Sequence, residues 1–325
     1  MSTESLENSI FINASNESFE TLALKVFKFQ YQNCTVYRGF CDYLDVKNPT
    51  CLEDIPFLPI SFFKSHKIVA EGFDPELIFK SSGTTNQTRS THFIAKPNLY
   101  EKSFRKTFED LMGEIKGNVF LALLPNYIEQ GNSSLVYMVD HLIQQSQNEL
   151  SGFYLNDYKK LLKAISIAKE RKCKVFLFGV SYALLDLAEK EIDLSDIFII
   201  ETGGMKGRRK EMIREELHDI LKNGLNVKNI YSEYGMTELL SQAYLHEEGY
   251  FKPPNWMKIM IRDVNDALTF LPNGRTGGVN VIDLANLYSC SFIATDDLGV
   301  KNMDLFKILG RFDLSDTRGC NLLVN

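Results

Sequence analysis

The 325 residues contain no apolar run long enough to span a bilayer, so no membrane-crossing helix is expected. The opening stretch, MSTESLENSIFINASNES, is polar and acidic and lacks the basic start and apolar segment of a secretory signal. Cysteines 34, 41, 51, 173, 290 and 320 form no CxxC pair and have no histidine at metal-ligand spacing. That pattern argues against a zinc site and a disulfide scaffold, and makes a reducing, cytoplasmic setting the default. Positive charge is in deficit: 36 Lys and Arg against 42 Asp and Glu leave a net charge of −6, so bulk attraction to nucleic acid or anionic lipid is not expected. Local clusters such as Lys206, Arg208, Arg209 and Lys210 remain available as anion sites. No internal repeat, low-complexity tract or long linker interrupts the chain.

What is present is ordinary globular material, 44% hydrophobic and 24% charged, enough for one large domain or two smaller ones. From Ser18 to Leu44, apolar residues at helical spacing (Phe19, Leu22, Val26, Phe27, Phe29) predict an amphipathic helix or a pair of helices. A stretch punctuated by Pro49, Pro56, Pro59 and Pro75 follows. Beyond it, helices over Asn98 to Lys116, Ser133 to Gln145, Asn156 to Lys172, around Ala183 to Ala188, and Arg208 to Leu221 alternate with the apolar runs VFLALLP, CKVFLFGV, IFIIETGG and KNIYSEYG. Such alternation implies βαβ units and a mostly parallel sheet with helices on both faces, whose ligands sit at the carboxyl ends of the strands. After about Ala243, short strands around MKIMIRDV, GGVNVIDL and CSFIATDD predict a smaller β-rich subdomain. The expected division is therefore 1–80 (helical and extended, packed on the core), 81–245 (α/β core), 246–308 (β-rich) and 309–325 (tail).

Five segments carry chemistry. Ser81, Ser82, Gly83, Thr84 and Thr85, with Arg89 close behind, can wrap polyphosphate oxygens through hydroxyls and backbone N–H groups, or can be a Ser/Thr-rich surface turn. Tyr234, Gly235, Met236, Thr237 and Glu238 end a predicted strand. There Tyr234 can stack on a purine, Thr237 can meet a phosphate and Glu238 can hold Mg²⁺, or Glu238 is a solvated carboxylate at a helix start. Thr202, Gly203, Gly204, Met205 and Lys206 follow another strand, where adjacent glycines either admit a flat ligand edge or make a plain turn. Asp297, in an Asp-Asp turn, can accept from a ribose diol or serve the turn alone. Finally GRFD at 310–313, with Arg311, precedes Cys320, a thiol near Arg318 that is either partly ionised and reactive or a small buried apolar group.

In this order, SGTTNQTRS, TGGMKG, YGMTE, TDD and GRFD resemble the motif series of the adenylate-forming superfamily, and FLPISFFKSHK, LPNYIEQGNSSLVYMVDHL, ETGGMKGRRKE and LGRFDLSDTRGCNLL resemble its LuxE-type acyl-protein synthetases. The resemblance implies an α/β adenylate-forming large domain with a β-rich subdomain, ATP and Mg²⁺ as cofactors, and a carboxylic, fatty-type acid as substrate. It implies that residues 81–85 cradle phosphates and that Thr202, Gly203, Gly204, Met205, Tyr234, Gly235 and Met236 line the base. Thr237 and Glu238 would serve phosphate and metal, Asp297 the ribose, and Arg311 the ribose or a hinge. Cys320 matches the thiol that takes the acyl group before it passes to a partner such as a reductase or an acyl carrier protein. Asn86 stands where the family has glycine and Arg89 where it has lysine. The sequence stops just past GRFD, so the small lysine-bearing C-terminal domain of larger members is expected to be absent, with Lys206, Arg208 or Arg89 as substitute cations. Two other outcomes are compatible: a ligase that loads coenzyme A or a carrier protein with Cys320 structural, or an inactive fold retained as a binding subunit.

Overall fold

The computed structural model describes residues 3–12, 18–82, 88–125, 131–155, 157–203, 209, 212–245 and 249–312. The N-terminal third supplies α1 (Thr3–Phe11), α2 (Phe19–Asn33), α3 (Thr35–Tyr43), β1 (Leu58–Pro59), α4 (Phe62–Ser65) and the antiparallel pair β2 (Leu77–Lys80) and β3 (Thr91–Ile94). The Ser18–Leu44 periodicity resolves into a helix pair, α2 and α3. Ser18 caps α2 by accepting the Thr21 N–H at 3.2 Å, and Leu22, Ala23, Val26 and Phe27 form the buried stripe.

The βαβ region follows as α5 (Pro97–Met112), β4 (Val119–Leu123), α6 (Ser134–Ser146), β5 (Gly152–Phe153), α7 (Tyr158–Glu170), β6 (Val175–Gly179), α8 (Ser181–Ala188), β7 (Ile197–Glu201), α9 (Arg214–Leu225) and β8 (Ile230–Tyr234). Every residue of β4 and β6 is buried, which is why these strands read as continuous apolar runs. Helix α5 starts on Pro97 and stops earlier than its periodicity predicts, at Gly113, whose φ of 110° ends the helix. Helix α9 begins at Arg214 rather than near 208.

The remaining strands are β9 (Ala243–Leu245), β10 (Phe251–Lys252), β11 (Met257–Arg262), β12 (Thr276–Asp283), β13 (Phe292–Asn302) and β14 (Leu305–Arg311). The sheet runs β11-β12-β13-β14-β10-β9-β8-β7-β6-β4-β5, with β1 beside β13. Pairing is parallel from β5 to β8 and antiparallel from β8 onwards to β11. Residues 295–299, which sequence patterning assigns to a turn, lie inside β13, with a register shift at Leu298/Gly299. Helices cover both faces: Phe108 of α5 packs on Phe176 and Tyr244, while His218 of α9 bonds Ser232 from the opposite side. Among the described residues no helix is long and apolar enough to cross a membrane.

Candidate active site

Strand β8 is the last parallel strand and β9 its antiparallel neighbour, so the chain between them leaves the sheet where the pairing changes, a place suited to ligand binding in α/β sheets. Tyr234 ends β8. Its ring lies against Phe306 and Phe251, at 5.2 and 5.7 Å between centroids, and its hydroxyl donates to Asp297 Oδ2 at 2.8 Å. Arg311 Nε donates to Asp297 Oδ1 at 3.0 Å, from a side chain that is 75% exposed. Asp297 is itself buried, with its N–H bonded to Thr295 Oγ1. Burial, reinforced by the Asp297 charge, holds the Tyr234 phenol far above its ordinary range, so it stays a donor.

Glu238 is only 5% exposed, which removes the solvated-carboxylate reading. Burial raises its pKa, opposed by a hydrogen bond from Ser90 and by the charges of Arg311 and Lys64. Ser90 in turn pairs with Ser81: Ser81 N–H donates to Ser90 O at 3.0 Å and Ser90 N–H to Ser81 Oγ at 2.9 Å. The stem of the hydroxyl-rich loop therefore abuts Glu238, and Arg311 acts on both Glu238 and Asp297. Three segments remote in sequence, 81–90, 234–238 and 297–311, converge on one locality.

The loop after β8 is pinned from three directions. His92 Nδ1 bonds Thr237 O at 2.7 Å, and Asn286 Nδ2 donates to Glu238 O at 2.8 Å. Asp283, fully buried, accepts from Leu240 N, Ser241 N and Ser241 Oγ at 2.7, 2.9 and 2.5 Å. His92 Nε2 also lies 3.0 Å from Asn286 Oδ1; burial lowers the His92 pKa to about 4, opposed by these two contacts. At the end of β7, Glu201 accepts from Ser181 Oγ, Ser232 Oγ and the Gly203 N–H, fixing the start of the Gly-rich segment. Thr202 N–H donates to Gly179 O, and Gly203 sits at φ 75°, a left-handed value suited to glycine.

Of the sequence candidates, Ser81, Ser82, Arg89, Thr202, Gly203, Tyr234, Gly235, Met236, Thr237, Glu238, Asp297 and Arg311 are described. Arg89 and Ser82 are exposed beside the Ser81–Ser90 stem. Gly83, Thr84, Thr85, Asn86, Gly204, Met205, Lys206, Arg208 and Cys320 lie outside the described residues. From the basic cluster, Arg209 is described and is ion-paired with Asp186 and Glu189. Sequence reading missed His92, Asp283 and Asn286, which no motif marks, and Glu233, which the alternation along β8 sets on the face opposite Tyr234.

The same fold occurs in an open-conformation 2-hydroxyisobutyryl-CoA ligase solved with 2-HIB-AMP and CoA (TM-score 0.63, 11% identity, 94% of this chain and 75% of that one). It also occurs in ATP-bound MatB from Rhodopseudomonas palustris (TM-score 0.57, 17% identity, 75% of this chain and 49% of that one). The chain thus spans about half the length of MatB. These likenesses define the class: the architecture is that of the adenylate-forming enzymes. The profile of the acyl-protein synthetases called LuxE matches residues 147–325, more than half of the chain, and the chain belongs to that family of acyl-protein ligases. A curated long-chain-fatty-acid–luciferin-component ligase of Vibrio harveyi is 23% identical over 301 residues, 84% of this chain and 76% of the relative.

Proposed function

We propose that the chain uses ATP and Mg²⁺ to activate a carboxylic acid of the fatty class as acyl-AMP and passes the acyl group to a protein thiol, Cys320, and from there to a partner protein. The observation that carries this reading is the convergence of the Ser81–Ser90 stem on Glu238 and of Tyr234 and Arg311 on Asp297. A carboxylate flanked by a phenol and a guanidinium suits a ribose diol. Glu238 offers a hard oxygen ligand next to the loop stem. Among the described residues no group of three or more His, Cys, Asp or Glu can hold a metal alone, so the donor set fits an ion that arrives with the nucleotide and shares phosphate oxygens. Such a Mg²⁺ would neutralise charge building on the phosphates.

In the first step an oxygen of the substrate carboxylate attacks the α-phosphorus of ATP, the bond to the β-phosphate oxygen breaks, and pyrophosphate leaves. The carboxylate gains a good leaving group and loses its repelling charge. In the second step a thiolate attacks the acyl carbon, the bond to AMP oxygen breaks, and a thioester forms. His92, Asn286 and Asp283 hold the 237–241 backbone so that Glu238 is positioned before substrate enters, which cuts the reorganisation needed during reaction.

Acid-dependent exchange of labelled pyrophosphate into ATP tests the first step, with saturated fatty acids as the first probes; no exchange with any acid overturns adenylation. Intact mass after incubation with ATP, Mg²⁺ and an active acid tests the second. The expected result is one hydroxylamine-sensitive acyl adduct that Cys320→Ser abolishes. No adduct, together with full acyl transfer by Cys320→Ser, refutes the thiol assignment while leaving adenylation standing.

A further inference from the structure

We propose that Glu233, Gln242 and Tyr244 form a recognition site for a hydrogen-bond-donating substituent, a hydroxyl or an amine, on the acid substrate. The inference rests on the acid-activating reading and narrows its substrate class.

Glu233 and Tyr244 are directly opposed on the antiparallel strands β8 and β9, so their side chains leave the same face of the sheet. Gln242, two residues before Tyr244, shares that face, as does Gly235, two residues after Glu233. Gly235 brings the group together by having no side chain: a Cβ there would overlap Glu233 Oε1 and stand 3.4 Å from Gln242 Cγ. The face is the one covered by α5, where Phe108 meets the Tyr244 ring edge-on at 5.9 Å. Polar atoms in such aromatic surroundings need partners, and two of these have none. The Tyr244 hydroxyl and Gln242 Oε1 are buried without a hydrogen bond, in residues 2% and 3% exposed. Buried side-chain polar atoms are nearly always paired, because each one forfeits its hydrogen bond to water on folding. Tyr100, on the same side, shows the ordinary solution, its hydroxyl donating to Ser134 O at 3.0 Å.

Glu233 adds a carboxyl group to this pair. Burial, then the negative charge of Glu201, raises its pKa to about 8, and no cation contributes to that shift. Burial raises the Tyr244 and Tyr100 phenols, and the Glu233 charge raises them further. The amide oxygen of Gln242 can only accept, whereas the Glu233 carboxyl, protonated below about pH 8, and the Tyr244 phenol can each accept or donate. The missing partner must therefore supply at least one N–H or O–H group, to the Gln242 amide oxygen. An unsubstituted hydrocarbon chain supplies none and would leave both orphaned atoms unpaired. The position suits an acid whose carboxylate reacts near Glu238, since Glu233 lies five residues earlier on the same strand-and-loop segment but on the opposite face from Tyr234.

The test uses the full chain and decanoate, hydroxydecanoates and aminodecanoates substituted along the chain. Two readouts run in parallel: the acid-induced change in thermal unfolding midpoint without ATP, and acid-dependent pyrophosphate exchange. The expected result is half-saturation at least about tenfold lower for one hydroxylated or aminated acid than for decanoate, with the responding arm identifying the donor. Tyr244→Phe and Glu233→Gln should each shrink that ratio several-fold, and Tyr244→Phe should leave the ligand-free midpoint unchanged or higher. Equal or tighter binding of decanoate, no midpoint shift with any acid, or an unchanged ratio in both variants overturns the inference. Exchange without discrimination sinks the recognition site alone. Discrimination in the midpoints without exchange sinks adenylation alone.

Discussion

Replacing Glu233 by glutamine should make the protein relatively more stable as pH rises, and the size of the effect follows from the surroundings of the carboxyl. Burial and the nearby Glu201 charge lift its pKa to about 8 in the folded state. In the unfolded chain an ordinary glutamate titrates near about 4.3. A carboxyl whose folded pKa is raised gives stability that is fully present below the unfolded pKa and lost as pH climbs through the folded one. Between the two values the folded protein keeps a proton that the unfolded chain has released, so each pH unit removes about 1.4 kcal/mol. From about pH 5 to about pH 7 the loss specific to Glu233 amounts to about 3 kcal/mol, a large share of the typical 5–15 kcal/mol of a folded domain. Glutamine fills nearly the same volume and does not titrate. Urea unfolding of the wild type and Glu233→Gln at several pH values across that interval isolates the effect, since every other ionisable group is common to both proteins. The variant should gain about 3 kcal/mol on the wild type over those two pH units. A gap that stays constant within about 0.5 kcal/mol, or that moves toward the wild type, would show that Glu233 is ionised in the folded state and would refute the reasoning.

Asp283→Ala strands three buried donors on Leu240 and Ser241 and should cost about 3–5 kcal/mol in urea unfolding; Asp283→Asn, which keeps one acceptor for both backbone N–H groups, should cost about 1 kcal/mol. Asp297→Ala should raise the KM for ATP in pyrophosphate exchange by about 10–100-fold, since a charge-assisted hydrogen bond is worth about 1.5–3 kcal/mol; an unchanged KM would move the ribose contact elsewhere. His92→Ala removes the tie to Thr237 O and should lower kcat for exchange by about tenfold with little change in the KM for the acid, which initial-rate measurements can separate.

The parallel half of the fold was legible because burial on both faces writes itself as unbroken apolar runs: VFLAL and VFLFG are the strands β4 and β6. The segments holding Tyr234, Glu238, Asp297 and Arg311 were legible as motifs, and the structure brings them together. The supports were not. His92 reaches a carbonyl 145 positions away and an amide 194 away, and Gln30 of α2 bonds the Asn286 carbonyl across 256 positions. Local spacing carries no trace of such contacts. The 295–299 stretch looked like a turn because Asp-Asp-Leu-Gly has poor strand propensity, yet Arg262 holds it extended by donating to Thr295 O at 2.7 Å and to Val279 O on the neighbouring strand at 3.0 Å. Helix α1 escaped notice because its three buried apolar residues, Leu6, Ile10 and Phe11, find their partners only in tertiary packing, Phe11 on Trp256 at 5.1 Å.

The change from parallel to antiparallel pairing at β8 explains why two chemically different environments share one strand end. Alternation along β8 sends Ser232 and Tyr234 to one face and Glu233 to the other. On the first face lie Glu201, His218 and Asp297, all hydrogen-bonded to those two residues; on the second lie Tyr244 and Gln242, whose hydroxyl and Oε1 have no partner. A shift of register by one residue would exchange the two sets, setting Tyr234 among the orphaned atoms and Glu233 beside Asp297, where two carboxylates would repel. The ties from His92, Asn286 and Asp283 to the loop between β8 and β9 fix that register from outside the sheet, so the same contacts that hold Glu238 in position also keep the two faces distinct.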